Sequence, residues 1–97
     1  MKVRFTIPAL DDLEEIAGYL ASRSPQGARK VLSRMRALAG LLPEHPRMGT
    51  RTDDPSIRRL VVTPYPYLIF YEIGAEEIII HAVRHAAREP SSMPGSA

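Results

Sequence analysis

Apolar and polar positions along the first quarter of the chain predict one strand and then one helix. Residues 2–7 alternate between apolar and polar side chains, which is the period of a half-buried strand. Pro8 then favours the start of a helix, because a proline lacks the N–H that would be unpaired in a first helical turn. The apolar stripe of this helix has helical spacing and consists of Ala9, Leu13, Ile16, Ala17 and Leu20.

A second helix is predicted after Ser24 and Pro25, a capping residue followed by a first-turn proline. Its apolar stripe consists of Ala28, Val31, Leu32, Met35, Leu38, Ala39 and Leu42. Pro43 ends the pattern. Because about four residues connect the two helices, we expect an antiparallel helical hairpin.

The second half of the chain predicts a three-stranded meander after a polar loop at residues 44–56. The strands are residues 57–63, 67–73 and 77–84, and their short turns require antiparallel pairing. The fold class is therefore α+β with element order β-α-α-β-β-β: an antiparallel sheet with a helical hairpin packed on one face. We expect one domain over residues 1–88 and a disordered tail over residues 89–97.

Both faces of the middle meander strand are largely apolar. Tyr67 and Tyr71 share one face with two isoleucines, whereas Leu68 and Phe70 share the other. A sheet covered on one side only should carry polar residues on its free side. We therefore expect the second face to be at least partly covered, for instance by a partner chain.

Composition narrows the classes of protein that fit. The chain has 97 residues, 44% of them hydrophobic, and no cysteine, which excludes disulfides and cysteine-ligated metals. No apolar run approaches the roughly 20 residues that cross a bilayer, and the N-terminal segment lacks the features of a signal peptide. These features predict a cytoplasmic protein that does not bind a membrane.

Charge is distributed unevenly although the net charge is only +2. Residues 8–20 carry four acids and no base, whereas residues 23–51 carry seven basic residues and one acid. The basic segment is consistent with a surface for nucleic acid or an acidic protein. It is equally consistent with a solvated helix face that the acidic helix balances.

Chemistry-bearing residues concentrate in two segments. Four of the six aromatic residues lie between Tyr65 and Tyr71, where tyrosine can pack in a core, stack on a base or act as an acid. At the end of the last strand, His85 could act as an acid or base between Arg84 and Arg88, or it could simply cap the chain end. His81 and His85 lie across a strand end without a nearby carboxylate, so no metal is expected; no glycine loop for a phosphate cofactor is present either.

Several segments, in order, resemble the RelE/ParE superfamily of toxins from type II toxin–antitoxin systems. They are VRFTIPALDDLEEIAGYL, SPQGARKVL, HPRMG, IRRLVV, YPYLIFYEI and IIIHAVRHAAR, and together they extend over residues 2–88. The resemblance implies the fold derived above. It also implies a cognate antitoxin that wraps the toxin in a hetero-oligomer, and a role in plasmid stabilisation.

The superfamily has two branches with different activities. RelE-like toxins resemble metal-independent ribonucleases that cut mRNA on the ribosome with basic residues and a C-terminal tyrosine. Here Leu68 and Ala86 stand where that branch has bases, no tyrosine follows Tyr71, and only Arg59 matches a basic position. The resemblance is therefore closer to ParE-like toxins, which bind and inhibit DNA gyrase and need no catalytic residue or cofactor.

Candidate contacts with the target or antitoxin follow from this resemblance. They are Arg47, Arg51, Arg59, Tyr67, Tyr71, Arg84, His85 and Arg88. If the chain is instead a ribonuclease, the catalytic residues would be Arg59, Arg84, His85 and Arg88. The ribosome and its mRNA would then replace gyrase as the target.

Overall fold

A computed structural model describes residues 1–87 and residue 94. The elements are β1 (Lys2–Phe5), α1 (Ile7–Arg23), α2 (Pro25–Leu41), β2 (Thr50–Arg51), β3 (Arg58–Val61), β4 (Tyr67–Ile73) and β5 (Glu77–His85). The predicted α+β class and the order of the six predicted elements are confirmed. The predicted tail and Arg88 lie outside the described residues, apart from residue 94.

Both helices begin with the same local chemistry. Thr6 Oγ1 accepts a hydrogen bond from Ala9 N–H at 3.2 Å, and Ser24 Oγ accepts one from Gly27 N–H at 3.0 Å. Each capping residue is followed within two positions by a proline in the first turn. Ser24 caps the end of α1 as well, so one residue connects the helices where the sequence predicted about four.

The sheet has the order β1-β5-β4-β3-β2. The meander β3-β4-β5 is antiparallel as predicted, but β1 pairs parallel to β5, so the sheet is mixed and not wholly antiparallel. The hairpin α1–α2 returns the chain across one face before the meander begins, which allows β1 to lie beside the last strand in the same direction. A second difference is β2, a two-residue strand within the predicted loop.

The main core lies between the helices and one face of the sheet. Its sheet residues include Tyr67, Ile69 and Tyr71, and α2 contributes most of the helical residues. The residues of α2 that are buried are Ala28, Val31, Met35, Leu38 and Ala39. In α1 only Ala9 is buried, so α1 leaves more of its apolar side chains accessible.

The second sheet face is covered in part by the chain itself. Leu68, Phe70 and Ala82 form a smaller buried cluster with Ile57, which precedes β3. A bulge in β5 follows, because Phe70 pairs with Ala82 but Tyr71 pairs with Ile80. The extra residue is His81, whose Nε2 lies 2.8 Å from Glu72 Oε1. The predicted covering of this face is thus found without a partner.

Candidate functional site

Tyr71 holds the HPRMG loop, residues 45–49, against the sheet. Its hydroxyl donates to Pro46 O at 2.6 Å and accepts from Gly49 N–H at 3.0 Å. Arg58 Nη1 donates to Gly49 O at 2.8 Å. A Cβ at Gly49 would lie 2.7 Å from the Tyr71 ring, so only glycine allows this approach. Burial raises the pKa of Tyr71, and the side chain has no exposed surface.

A cleft with both polar and apolar side chains in its walls opens at the other end of β4. It has a volume of about 400 Å³, and three of the predicted site residues line it: Tyr67, Arg84 and His85. The Tyr67 and His85 rings meet edge to face with centroids 5.1 Å apart. Burial, followed by the nearby Tyr19 phenol, raises the pKa of Tyr67.

Side chains of α1 close the cleft over the end of β5. Asp12 Oδ2 accepts a hydrogen bond from Val83 N–H at 3.0 Å and also pairs with the Arg84 guanidinium. His85 Nδ1 accepts from Ala87 N–H at 3.0 Å, so a neutral His85 carries its proton on Nε2. Asp12 was not among the predicted site residues, since nothing in the sequence indicates that a helix residue at position 12 meets a strand residue 72 positions later.

Of the residues predicted for a ribonuclease, Arg84 and His85 line the cleft together, whereas Arg59 does not. Tyr67 pairs with His85 in the sheet register, so both side chains lie on the helix-covered face. Arg59 pairs with Phe70 and therefore lies on the opposite face. Arg84 is already neutralised by Asp12. A phosphate held by Arg59 would not be reached by a proton from His85, so these two residues do not form one acid–base site.

Arg47 and Arg51 lie in the segment that connects α2 to β3, and both are exposed. Arg51 belongs to β2 and pairs with Arg58. The carbonyl oxygen of Arg47 lies 3.5 Å from Arg58 Nη1, which places this arginine in the loop that Tyr71 holds. Arg59 pairs with Thr50 and so lies on the opposite sheet face from Arg51, and none of these three arginines lines the strand-end cleft.

A mainly apolar groove of about 520 Å³ lies between β1 and the two helices. Leu10 lies in it and is 51% exposed, and neighbouring Ile7 is 75% exposed. Glu14 and Arg36 also line the groove. The other apolar side chains in it include Val3, Phe5, Leu13, Leu32 and Met35.

The groove adjoins an open edge of the sheet. Among the strands of residues 1–87, β1 is terminal and its neighbour is β5. Thr6 N–H donates to Ile80 O at 3.0 Å, so Thr6 faces β5. Because successive strand residues face opposite sides, Phe5 and Val3 direct their N–H and C=O groups outward. A strand that pairs with this edge would lie beside the apolar groove.

Within residues 1–87, no group of three or more His, Asp or Glu side chains is arranged to hold a metal ion. None of the described helices is both long enough and apolar enough to cross a bilayer.

Comparison with known proteins identifies the family. The family described as "ParE toxin of type II toxin-antitoxin system, parDE" matches residues 3–90. The toxin RelE2 of Caulobacter vibrioides is 38% identical over 87 residues, covering 90% of this chain and 97% of that protein. The putative toxin Y4kP of Sinorhizobium fredii is 33% identical over 88 residues, covering 91% of each.

A solved structure has the same fold. It is described as the chromosomal ParDE TA system from P. aeruginosa, and the TM-score is 0.73 at 22% identity, with 88% of this chain and 95% of that chain covered. The matches define a toxin of a type II toxin–antitoxin system in the RelE/ParE superfamily. Within that superfamily, the chain belongs to the ParE toxin family.

Proposed function

We propose that this toxin acts in the cytoplasm by binding and inhibiting DNA gyrase, and that a cognate antitoxin neutralises it. The observation that carries the choice of target is the separation of Arg59 and His85 on opposite faces of the sheet. A metal-free nuclease needs cations and a proton donor around one phosphate. A toxin that traps a topoisomerase needs a binding surface only, for which the exposed side chains of Arg47, Arg51 and Arg59 are the candidate contacts.

Two assays on the purified toxin test the target. We expect inhibition of gyrase supercoiling that persists in His85→Ala, because His85 is not required for binding in this proposal. We expect no ribosome-dependent mRNA cleavage. Since one 38% identical relative is named RelE2, cleavage is the alternative to exclude. Strong cleavage that His85→Ala abolishes would replace gyrase inhibition by a ribonuclease activity.

The antitoxin site in this proposal is the apolar groove together with the open edge of β1. An amphipathic segment would bury its apolar side chains against Leu10, Phe5 and Leu32, and an extended segment would pair with Val3 and Phe5. The groove supports this assignment because it is apolar and close to unpaired backbone groups. A single antitoxin chain could bind both features.

A matched pair of variants tests this site. Leu10→Glu places a charge in the groove, whereas Val61→Glu places the same charge on the opposite sheet face at 50% exposure, against 51% for Leu10. We expect Leu10→Glu to weaken antitoxin binding by about 2 kcal/mol, or about 30-fold in Kd. Val61→Glu should leave the Kd unchanged. Equal effects in a calorimetric titration would contradict the groove as the antitoxin site.

A further inference from the structure

The outward face of α2 carries positive charge only. Its four basic residues are all exposed, and the helix contains no acid; they are Arg29, Lys30, Arg34 and Arg36. At about 100° per residue, Arg29 and Arg36 lie on one flank, whereas Lys30 and Arg34 lie on the other. Small residues occupy the strip between the flanks: Ser33, Ala37 and Gly40.

These charges are not neutralised within the described residues. The ion pairs there are Arg4–Glu77, His81–Glu72 and Arg84–Asp12, none of which involves α2. Arg34 makes a bond to the protein, from Nε to Thr63 O at 2.7 Å, and this acceptor is a neutral carbonyl. In α1, Asp12 pairs with Arg84 on β5, so this acid does not balance α2.

We propose that this face of α2 binds the phosphate backbone of duplex DNA. Guanidinium groups match phosphate geometry, and cations on two flanks can each meet one strand of the duplex. A helix with its side chains is about 10–12 Å wide, which fits the major groove of B-DNA at about 12 Å. Arg29 and Arg36 are seven residues apart, or about 10.5 Å along the axis.

The composition of the face favours duplex DNA over other polyanions. Residues 26–40 present no exposed aromatic side chain, so this surface lacks the stacking platform that binds single strands. The strip between the flanks consists of small residues, and Leu41, 45% exposed at the C-terminal end of α2, is the large apolar side chain on this face, so a protein partner would have a single anchor there. The deep, narrow major groove of A-form RNA does not admit a helix.

The test uses the full-length purified toxin and a short, fluorescently labelled duplex of arbitrary sequence. Anisotropy is measured from 50 to 200 mM salt. With three phosphates neutralised at about 0.9 ions released each, the affinity of the unmodified toxin should fall about 40-fold over this range. The assay contains no gyrase, so its failure and the failure of the proposed target are separate results.

Two triple variants each replace two arginines and one lysine, but on different surfaces. The first is Arg29→Gln, Lys30→Gln and Arg36→Gln on α2; the control is Lys2→Gln and Arg4→Gln on β1 together with Arg23→Gln at the end of α1, all at exposed positions. We expect the α2 variant to bind at least about tenfold more weakly at 50 mM salt, with a flatter salt dependence. The control should bind like the unmodified toxin, and circular dichroism should show both variants folded.

Three results would overturn the proposal. The first is an unmodified toxin that does not bind the duplex at 50 mM salt. The second is an equal loss of affinity in both triple variants, which would show a response to net charge and not to α2. The third is displacement of the duplex by a polyglutamate peptide that is added at equal charge concentration and binds more tightly than the duplex. This result would assign the face to an acidic protein.

Discussion

The two ends of β4 place the same side chain in different surroundings. Tyr71 and Tyr67 lie on the same sheet face, and both are buried, at 0% and 5% exposure. The Tyr71 hydroxyl both donates and accepts a hydrogen bond under the HPRMG loop. Tyr67 lies instead at the wall of a cleft, in contact with His85. Residue type and strand face are equal, so the difference in role comes from the segment that lies over each ring.

The comparison also separates structural from accessible polar groups. At the Tyr71 end, the loop backbone, Arg58 and the phenol satisfy one another's hydrogen bonds. At the Tyr67 end, the polar groups of Asp12, Arg84 and His85 line a space that a ligand can enter. Substitutions should therefore affect stability most at the first end.

The largest effect should come from Gly49→Ala. The added Cβ would lie 2.7 Å from Tyr71 Oη and 2.9 Å from Arg59 O, so the loop or the buried ring must move. We expect a loss of about 3 kcal/mol in the free energy of unfolding, measured with urea. Gly40→Ala is the control, because its Cβ would meet nothing within 4 Å. A Gly49→Ala protein as stable as the control would contradict the tight contact.

The next effect separates the two tyrosines directly. Tyr71→Phe leaves the Pro46 carbonyl and Gly49 N–H without their partner, at a cost of about 2 kcal/mol in the free energy of unfolding. Tyr67→Phe should cost less than about 0.5 kcal/mol, because its hydroxyl is at a cleft wall. Equal costs in parallel urea titrations would mean that the loop does not distinguish the two ends.

A smaller effect is expected at the cleft itself. Asp12→Asn keeps an acceptor for Val83 N–H but removes the charge opposite Arg84, with a cost of about 1 kcal/mol. The neighbouring Asp11→Asn, at an exposed position, should change the unfolding free energy by less than about 0.5 kcal/mol. Thermal unfolding of the two variants compares them, and a cost at Asp11 that matches Asp12 would argue against the helix-to-strand ion pair.

The smallest effect is a dependence on alkaline pH. Burial raises the pKa of Tyr71 in the folded state, so the neutral phenol contributes stability that is lost as the pH rises through the folded-state pKa. The stability difference between the unmodified toxin and Tyr71→Phe should therefore be constant near neutral pH and shrink above about pH 10. Urea titrations at several pH values measure it, and a constant difference up to about pH 11 would count against this titration.

Local signals in the sequence located most elements because they depend on near neighbours. Thr6 and Ser24 cap the helices that their following prolines indicated. The short turns of the meander fixed antiparallel pairing for β3, β4 and β5. The partner of β1 was not predictable in this way, because its pairing with β5 joins residues about 75 positions apart and no turn connects them.

The same distinction between local signals and long-range pairing applies to the candidate site. Strand alternation placed Tyr67 and Tyr71 on one face, and the structure has them there. Strand alternation could not show that the sheet separates Arg59 from His85, since their separation depends on how the strands pair. The apolar groove was missed for a related reason. Leu10 and Phe5 belong to ordinary amphipathic patterns, and only the packing of the helices on the sheet shows that these side chains line an open groove.

By itself the sequence determined the number of helices and meander strands, the faces of each strand, the basic character of α2 and the family. Hydrophobic period, capping and turn chemistry act over a few residues, so they can be recognised from the sequence alone. Only the tertiary structure decided which tyrosine is fixed beneath a loop, which acid meets Arg84 and where apolar surface remains uncovered. Those outcomes depend on the docking of distant segments, whose geometry follows from the packing of the whole core.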